Sequence, residues 1–460
     1  MSVNSFDDYS MSWRPKLKRN EAPLYINLAN QLERDIASGD LRPGTKLPPQ
    51  RELADFLDVN VSTISRAFKL CSRKGLLNGT VGSGTYIAYN ISTNIFATPA
   101  HSEPHIVDLG SMMPETIPQD EITRLLHKMI EETAFERLFQ YSHKADDWQL
   151  EAATVLLKKV GCPVPSSQIL LANGGQNSLA AILAGLFEPG DRLGVDPLVY
   201  PGLKSVATLF NVQLIPIAHK NGEMSEEGLR YAAKNEGIKA IYVMPDCHNP
   251  TTHIMSEQCR DRIAEVAKEL DILVIEDGIN SLLLREPKSS IFARAPEQTI
   301  FSLSLSKTIS PALRLAYLAV PKRYFHTLEN ALYNINLSQS ALLLELASRL
   351  IVSGQLDSLL ERRREGLAAR NHLTDSLLQG YDVFGNSESL CRWLILPEAV
   401  SGEQFEQLAL DRGLFVYGSE RFAVGKNVPV QAVRLAICAP NHSADLEWAL
   451  STIRDLLEHL

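Results

Sequence analysis

The sequence lacks paired cysteines. Its six, Cys71, Cys162, Cys247, Cys259, Cys391 and Cys438, form no C-x-x-C pair and no Cys/His cluster at metal-ligand spacing. That excludes a disulfide scaffold and a zinc module, and leaves free thiols of a reducing compartment. No apolar run is long enough to cross a bilayer: LAAILAGLF is too short, and ALLLELASRLIV is broken by Glu345 and Arg349. The opening MSVNSFDDYSMSWRPK has no apolar core of a signal peptide. The expectation is a cytoplasmic protein with no metal site and no membrane partner. Positive charge is also scarce outside one end. Residues 1–89 carry 12 Lys+Arg against 9 Asp+Glu, whereas the remainder carries 33 against 45, within a formal net charge of −9. A mildly basic head on an acidic body suits a polyanionic partner at the head alone.

What is present is ordinary globular composition, 45% hydrophobic and 22% charged, in 460 residues, too many for one core. In residues 23–88, Leu24, Leu28, Leu32 and Ile36 stand four apart and predict a helix that stops at Gly39. QRELADFL predicts a second helix, DVN a tight turn, and VSTISRAFKLCSRKGLL a third. Ile64, Ala67 and Phe68 form the third helix's apolar face, with Ser62, Thr63, Ser65, Arg66 and Lys69 on the others. Gly79, Gly82 and Gly84 in LNGTVGSGTYIAY permit a tight hairpin. This is the plan of a winged helix-turn-helix. Ser62, Thr63, Arg66 and Lys69 would face a major groove, while Arg51 and the wing tip around Gly82 and Gly84 would hold phosphates. The same pattern fits a three-helix protein-interaction module whose Arg66 and Lys69 are simply solvated. Residues 1–22 read as an N-terminal extension, and residues 89–106, polar and without period, as a linker.

From residue 107 to 460, short β-rich runs alternate with helical stretches, the pattern of a parallel sheet with crossover helices; from about 355 to 460 it becomes a smaller α+β lobe. Chemically distinctive residues follow the predicted strands, where ligands of such sheets sit. After LLAN, Gly174, Gly175 and Gln176 open a helix and offer bare N–H groups to a phosphate. Asn249 follows AIYVMP and could donate to a ring oxygen. Glu276 and Asp277 end ILVIED, and a carboxylate at a buried strand end needs a cationic partner. Lys307 follows Ser304-x-Ser306 and could form a Schiff base, with Arg314 seven residues on as a phosphate clamp. Taken singly, the glycine turn and Asn249 are equally well explained as structural turns.

LPPQRELADFLDVNVSTISRAFKLCSRKGLLNGTVGSGTYI resembles the GntR-type DNA-binding domain through Leu47, Arg51, Leu53, Ala54, Val59, Thr63, Arg66, Ala67, Gly75, Leu76, Gly82, Gly84 and Thr85. Many members place an arginine where this chain has Val61, so one contact to DNA is missing here. The order GGQ, DPLVYPG, HNPT, VIED, SLSKTISPALR and VRLA resembles the aminotransferase class I/II domain, a fold-type I pyridoxal phosphate (PLP) fold. Together the two parts resemble the MocR subfamily of bacterial transcription regulators: a multidomain chain, winged helix-turn-helix joined to an α/β fold-type I domain with a small C-terminal lobe. The resemblance implies PLP as cofactor, with Lys307 in the internal aldimine and Asp277 on the pyridinium nitrogen. It also implies Asn249 on the phenolic oxygen, and Gly175, Gln176, Ser304 and Arg314 on the phosphate. Tyr200 would lie beside the ring, Tyr141 would reach the phosphate from the other subunit of a homodimer, and Arg434 would take a substrate or effector carboxylate. Double-stranded operator DNA and an amine or amino-acid effector are the implied partners. The family's usual tyrosine two or three residues after the aspartate is replaced by Ile279 and Asn280. A working transaminase carrying an accessory or autoregulatory DNA-binding head is the alternative, discriminated by whether an amino group is turned over.

Overall fold

A computed structural model describes residues 11–17, 23–80, 84–89, 106–115, 120–132, 135–141 and 144–460. In the head, α1 (Leu24–Ala37), α2 (Gln50–Leu57) and α3 (Val61–Arg73) precede a hairpin of β1 (Leu77–Thr80) and β2 (Gly84–Ile87). The four-residue spacing in α1 buries Leu28, Leu32 and Ile36 against Leu53, Ile64, Ala67 and Phe68; each such side chain contributes about 1.5–3 kcal/mol by leaving water. Asn60 caps α3 by accepting from the Ser62 N–H at 2.8 Å. Gly84 sits at φ +107°, a conformation that favours glycine, and a Cβ there would meet the Lys46 side chain. The N-terminal segment read as an extension contributes to this core: Trp13 is buried in it, and its indole N–H donates to Asp35 Oδ2 at 2.7 Å.

The large lobe is built on a seven-stranded sheet. Its strands in chain order are β3 (Ile169–Ala172), β4 (Arg192–Val195), β5 (Gln213–Pro216), β6 (Ala240–Val243), β7 (Leu273–Asp277), β8 (Thr299–Ser304) and β9 (Ala316–Ala319). Their spatial order is β3-β9-β8-β7-β6-β4-β5. Alternate residues of one strand fall into two separate apolar clusters, Phe301 and Leu303 in one and Ile300 in the other, because the sheet is covered on both faces. The expectation of a parallel sheet holds for β4 to β8, but β9 runs antiparallel to β8 and β3. The reason is connection length. Eleven residues separate Ser304 from Ala316 and carry only a short 3₁₀ turn, Pro311–Leu313, so the chain turns back at the same edge instead of crossing over.

The small lobe has α7 (Gln355–Leu377) and α8 (Ser443–Glu458) packed on an antiparallel sheet, in the order Val383–Phe384, Arg392–Ile395, Ala432–Leu435, Tyr417–Gly418. The strand Val107–Asp108 pairs in parallel with Leu414–Phe415, so the first residues of the body belong to this lobe although the sequence pattern began it near 355. The helices of the large lobe used below are α4 (Gly175–Leu186), α5 (Pro201–Leu209) and α6 (Glu257–Leu270).

Candidate functional site

The reversal at β9 brings Lys307 and Arg314 to the sheet edge where β3, β7 and β8 end. Ala316 pairs with both Ser304 and Ala172, which places the lysine turn directly beside the Gly174 loop. Gly174 has φ +88° and a Cβ there would lie 3.0 Å from Arg314 Nη2, so only glycine leaves the guanidinium this close to the first N–H groups of α4. Arg314 is itself in the left-handed region, φ +42°, and Nη2 donates to the Asn173 carbonyl at 3.0 Å. Ser304 Oγ lies 3.2 Å from Ser306 Oγ. A Cβ built on Gly175 would lie 3.8 Å from the Ser304 Cβ. Gln176 bridges to α5: its Nε2 donates to the Gly202 carbonyl at 2.9 Å, and Tyr200 Oη donates to its Oε1 at 3.2 Å.

Strand alternation divides the two acids that end β7. Glu276 turns away and accepts the Ile291 and Phe292 N–H groups, each at 2.9 Å, capping a short helix; burial raises its pKa to about 7. Asp277 turns into the site. Burial raises it to about 6, against two donors that favour the charged form: Tyr242 Oη to Oδ2 at 2.8 Å and the Ile279 N–H to Oδ1 at 3.1 Å. Tyr200 feels the same carboxylate; burial first, then the charge of Asp277, pushes its phenol up to about 12. Asn280 points elsewhere, donating from Nδ2 to the Cys247 carbonyl at 2.8 Å.

Lys307 is half-buried and donates from Nζ to the Met112 carbonyl. Burial lowers its pKa below the ordinary lysine value, and the charges of Arg434 and Arg314 act in the same direction, opposed by Cys438. Arg434 enters from the small lobe, buried under Phe422 and Tyr417, whose ring centroids lie 4.9 and 5.2 Å from its Cζ. Its Nη1 donates to Asn249 Oδ1 at 2.7 Å and its Nη2 to the Gly110 carbonyl, while its buried Nε has no partner among the described residues.

Thus the fold gathers Gly175, Gln176, Tyr200, Asn249, Asp277, Ser304, Lys307, Arg314 and Arg434 around one cleft. Tyr141 is not among them: it is 76% exposed. In the head, Arg51, Ser62, Arg66 and Lys69 are exposed, Thr63 is partly exposed, and Gly82 lies outside the described residues. Sequence reasoning missed Tyr242, whose only signal is a phenol in an otherwise aliphatic strand. It also missed the carbonyls of Gly110 and Met112, which carry no side-chain signal at all.

The cleft fits PLP on its own chemistry. It has an amine of lowered basicity, a carboxylate, Asp277, that bonds no cation among the described residues, glycine N–H groups under Arg314 that could take a phosphate, and a donor on Arg434 with no partner among the described residues. Fold and site together define a PLP-type aminotransferase domain behind a DNA-binding head. Residues 104–453 match the family "Aminotransferase class I and II", and residues 24–87 match "Bacterial regulatory proteins, gntR family". The chain is 46% identical over 461 residues to the uncharacterized HTH-type transcriptional regulator YdeF of Bacillus subtilis (strain 168), covering 100% of both. It is 23% identical to the probable rhizopine catabolism regulatory protein MocR of Rhizobium meliloti, over 84% of this chain and 81% of that one. Among solved structures, a multiple substrate aminotransferase from Thermococcus profundus superposes with a TM-score of 0.70 at 21% identity, over 78% of this chain and 92% of that one. The chain belongs to the aminotransferase class I and II family, within the MocR-type HTH transcriptional regulators that carry this domain behind a gntR head. Membership implies PLP use and DNA binding. Among the described residues no helix is long and apolar enough to cross a membrane.

Proposed function

We propose that this regulator reads an amino compound, or PLP itself, at Lys307 and passes the result to its DNA-binding head. The observation that carries the reading is the joint placement of Lys307, Asp277 and Arg434: a nucleophilic amine of lowered basicity, a buried carboxylate and a buried carboxylate reader in one cleft. PLP, when bound, supplies an aldehyde carbon that condenses with amines and a ring that withdraws electrons from them. The chain's own groups do the rest. Arg314 and the N–H groups at Gly175 and Gln176 hold the phosphate. Asp277 would hold a proton on the ring nitrogen, Tyr200 would lie beside the ring, and Asn249 would donate to its oxygen. Lys307 would supply the amine that holds the aldehyde carbon and can act as a base. Arg434 selects ligands bearing a carboxylate.

Because Arg434 belongs to the small lobe and Asn249 to the large one, a carboxylate placed between them favours one relative position of the lobes. That differential affinity is what can bias the head. A homodimer would present two heads to paired half-sites, with Tyr141 completing the partner's phosphate site. The exposure of Tyr141 on its own subunit suits that role.

The test is the visible spectrum of the full-length protein with PLP during addition of amino acids and amines. A ligand that shifts the lysine-dependent band and holds it marks a sensor. A band lost with time and restored by a keto acid marks an amino-group transferase. Lys307→Ala is expected to lose the band while keeping its circular dichroism and basal DNA binding. Retention of the band would remove Lys307 from the site.

A further inference from the structure

A second cavity, of about 350 Å³, opens between the lobes, and Lys307, Asp277, Arg314 and Gln176 do not line it. Its walls are apolar and adaptable: Met224, Met244 and Met255 from the large lobe face Trp393 and Ile395 from the small one. At its base stands a buried carboxylate, Asp196. It accepts from His219 Nε2 at 2.8 Å through Oδ1, and its Oδ2 lies 3.5 Å from His248 Nε2. A second acid–imidazole pair lines the rim, His253 Nε2 with Glu223 Oε1 at 2.9 Å. No lysine or arginine is among the described residues that line it.

The charges decide what such a cavity accepts. Two carboxylates face three imidazoles. His248 has both nitrogens engaged, Nδ1 with Thr251 Oγ1 at 2.8 Å, and burial favours its neutral form. With Nε2–H given to a carboxylate, a neutral His219 or His253 keeps a lone pair on its other nitrogen and therefore offers an acceptor. An anion would meet two carboxylates and no fixed cation. A ligand with N–H donors and positive charge would meet the Asp196 and Glu223 carboxylates and an indole.

We propose that this interlobe cavity is a second ligand site, which takes an ammonium carried on an apolar, ring-bearing body. It is separate from the Lys307 cleft yet touches it. His248 precedes Asn249, and Trp393 packs edge-on against Phe422 with centroids 6.1 Å apart, the ring that covers Arg434. An occupant would bridge the two lobes beside the carboxylate reader.

The test uses the full-length, PLP-loaded protein and N,N-dimethylphenethylamine, a tertiary amine that cannot condense with an aldehyde. Calorimetry is expected to give a Kd below about 1 mM, with 2-phenylethyl methyl ether, its uncharged counterpart that Arg434 does not recognise, at least about tenfold weaker and the visible band unmoved. Asp196→Asn should cut the preference for the amine, and Ile395→Trp should abolish binding by filling the cavity. Equal affinity for the two probes on the unmutated chain would overturn the proposal, as would absence of amine binding. So would undiminished amine binding in a folded Ile395→Trp protein. Failure here leaves the reading of Lys307 standing, because the visible band reports that site separately.

Discussion

Replacing Tyr242 by phenylalanine removes one oxygen from a fully buried strand and leaves the packing of the ring intact. The lost contact is the 2.8 Å hydrogen bond from Tyr242 Oη to Asp277 Oδ2. A hydrogen bond to a charged group contributes about 1.5–3 kcal/mol, and about 1.4 kcal/mol corresponds to one pKa unit. The carboxyl of Asp277, already raised by burial to about 6, should therefore rise to between about 7 and 8 in the variant. At pH 7 its ionised fraction then drops from roughly nine-tenths to between about one half and one tenth. Since the ionised carboxylate is the form that faces a protonated ring nitrogen, apparent PLP affinity at pH 7 should fall about two- to tenfold. The deficit should vanish by about pH 9, where both proteins are ionised. The sign follows from the raised pKa: the charged form is present above the midpoint and lost as pH falls through it, so the unmutated protein should also bind PLP more weakly below about pH 6. Titrating PLP into the apo full-length protein by fluorescence between pH 6 and 9 measures both curves. A variant-to-native ratio of Kd that stays constant from pH 7 to 9 would refute the reasoning.

Arg66→Ala removes an exposed cation from the leading half of α3 and is expected to weaken specific operator binding by about 1–3 kcal/mol in a gel shift; unchanged affinity would mean that α3 is not the reader. Arg434→Ala should raise the concentration of a carboxylated effector needed for a spectral response at least about tenfold, and leave the response to a plain amine alone. An unaltered response to both would assign the carboxylate contact elsewhere.

Much of this architecture was legible in the chain because the informative residues are local to strand ends. Gly174–Gln176 and Lys307 follow β-rich runs, Asp277 and Ser304 end them, and Arg314 precedes one, all near the carboxyl ends of β3, β7 and β8. The head was legible for the same reason, its helices marked by apolar spacing and its wing by glycines. What the sequence did not disclose depends on pairings between distant segments. The reversal of β9, set by its short connection to β8, also pairs it with β3, some 145 residues earlier in the chain. Trp13 joins the head core through a contact to Asp35, with no periodic pattern around it. Tyr242 becomes part of the site because β6 and β7 lie side by side in one register, Tyr242 opposite Ile275. Two acids in VIED look equivalent in sequence; strand alternation makes Glu276 a helix cap and turns Asp277 toward Tyr242 and the Ile279 N–H.

The contact between Arg434 and Asn249 has a consequence for how the two ends of a ligand are weighed. An amide is polarised as a unit: an acceptor pressed by a guanidinium makes the opposite N–H groups stronger donors. Asn249 Oδ1 is held by Arg434 Nη1 at 2.7 Å, and its Nδ2 is the group proposed for the ring oxygen. A carboxylate that drew the guanidinium away would weaken that amide as a donor, and a ring oxygen held by it would lose part of its stabilisation. Charge arriving at Arg434, 185 residues away in sequence, would thereby reach the electronics of the cofactor, and colour would read out which acids the protein accepts.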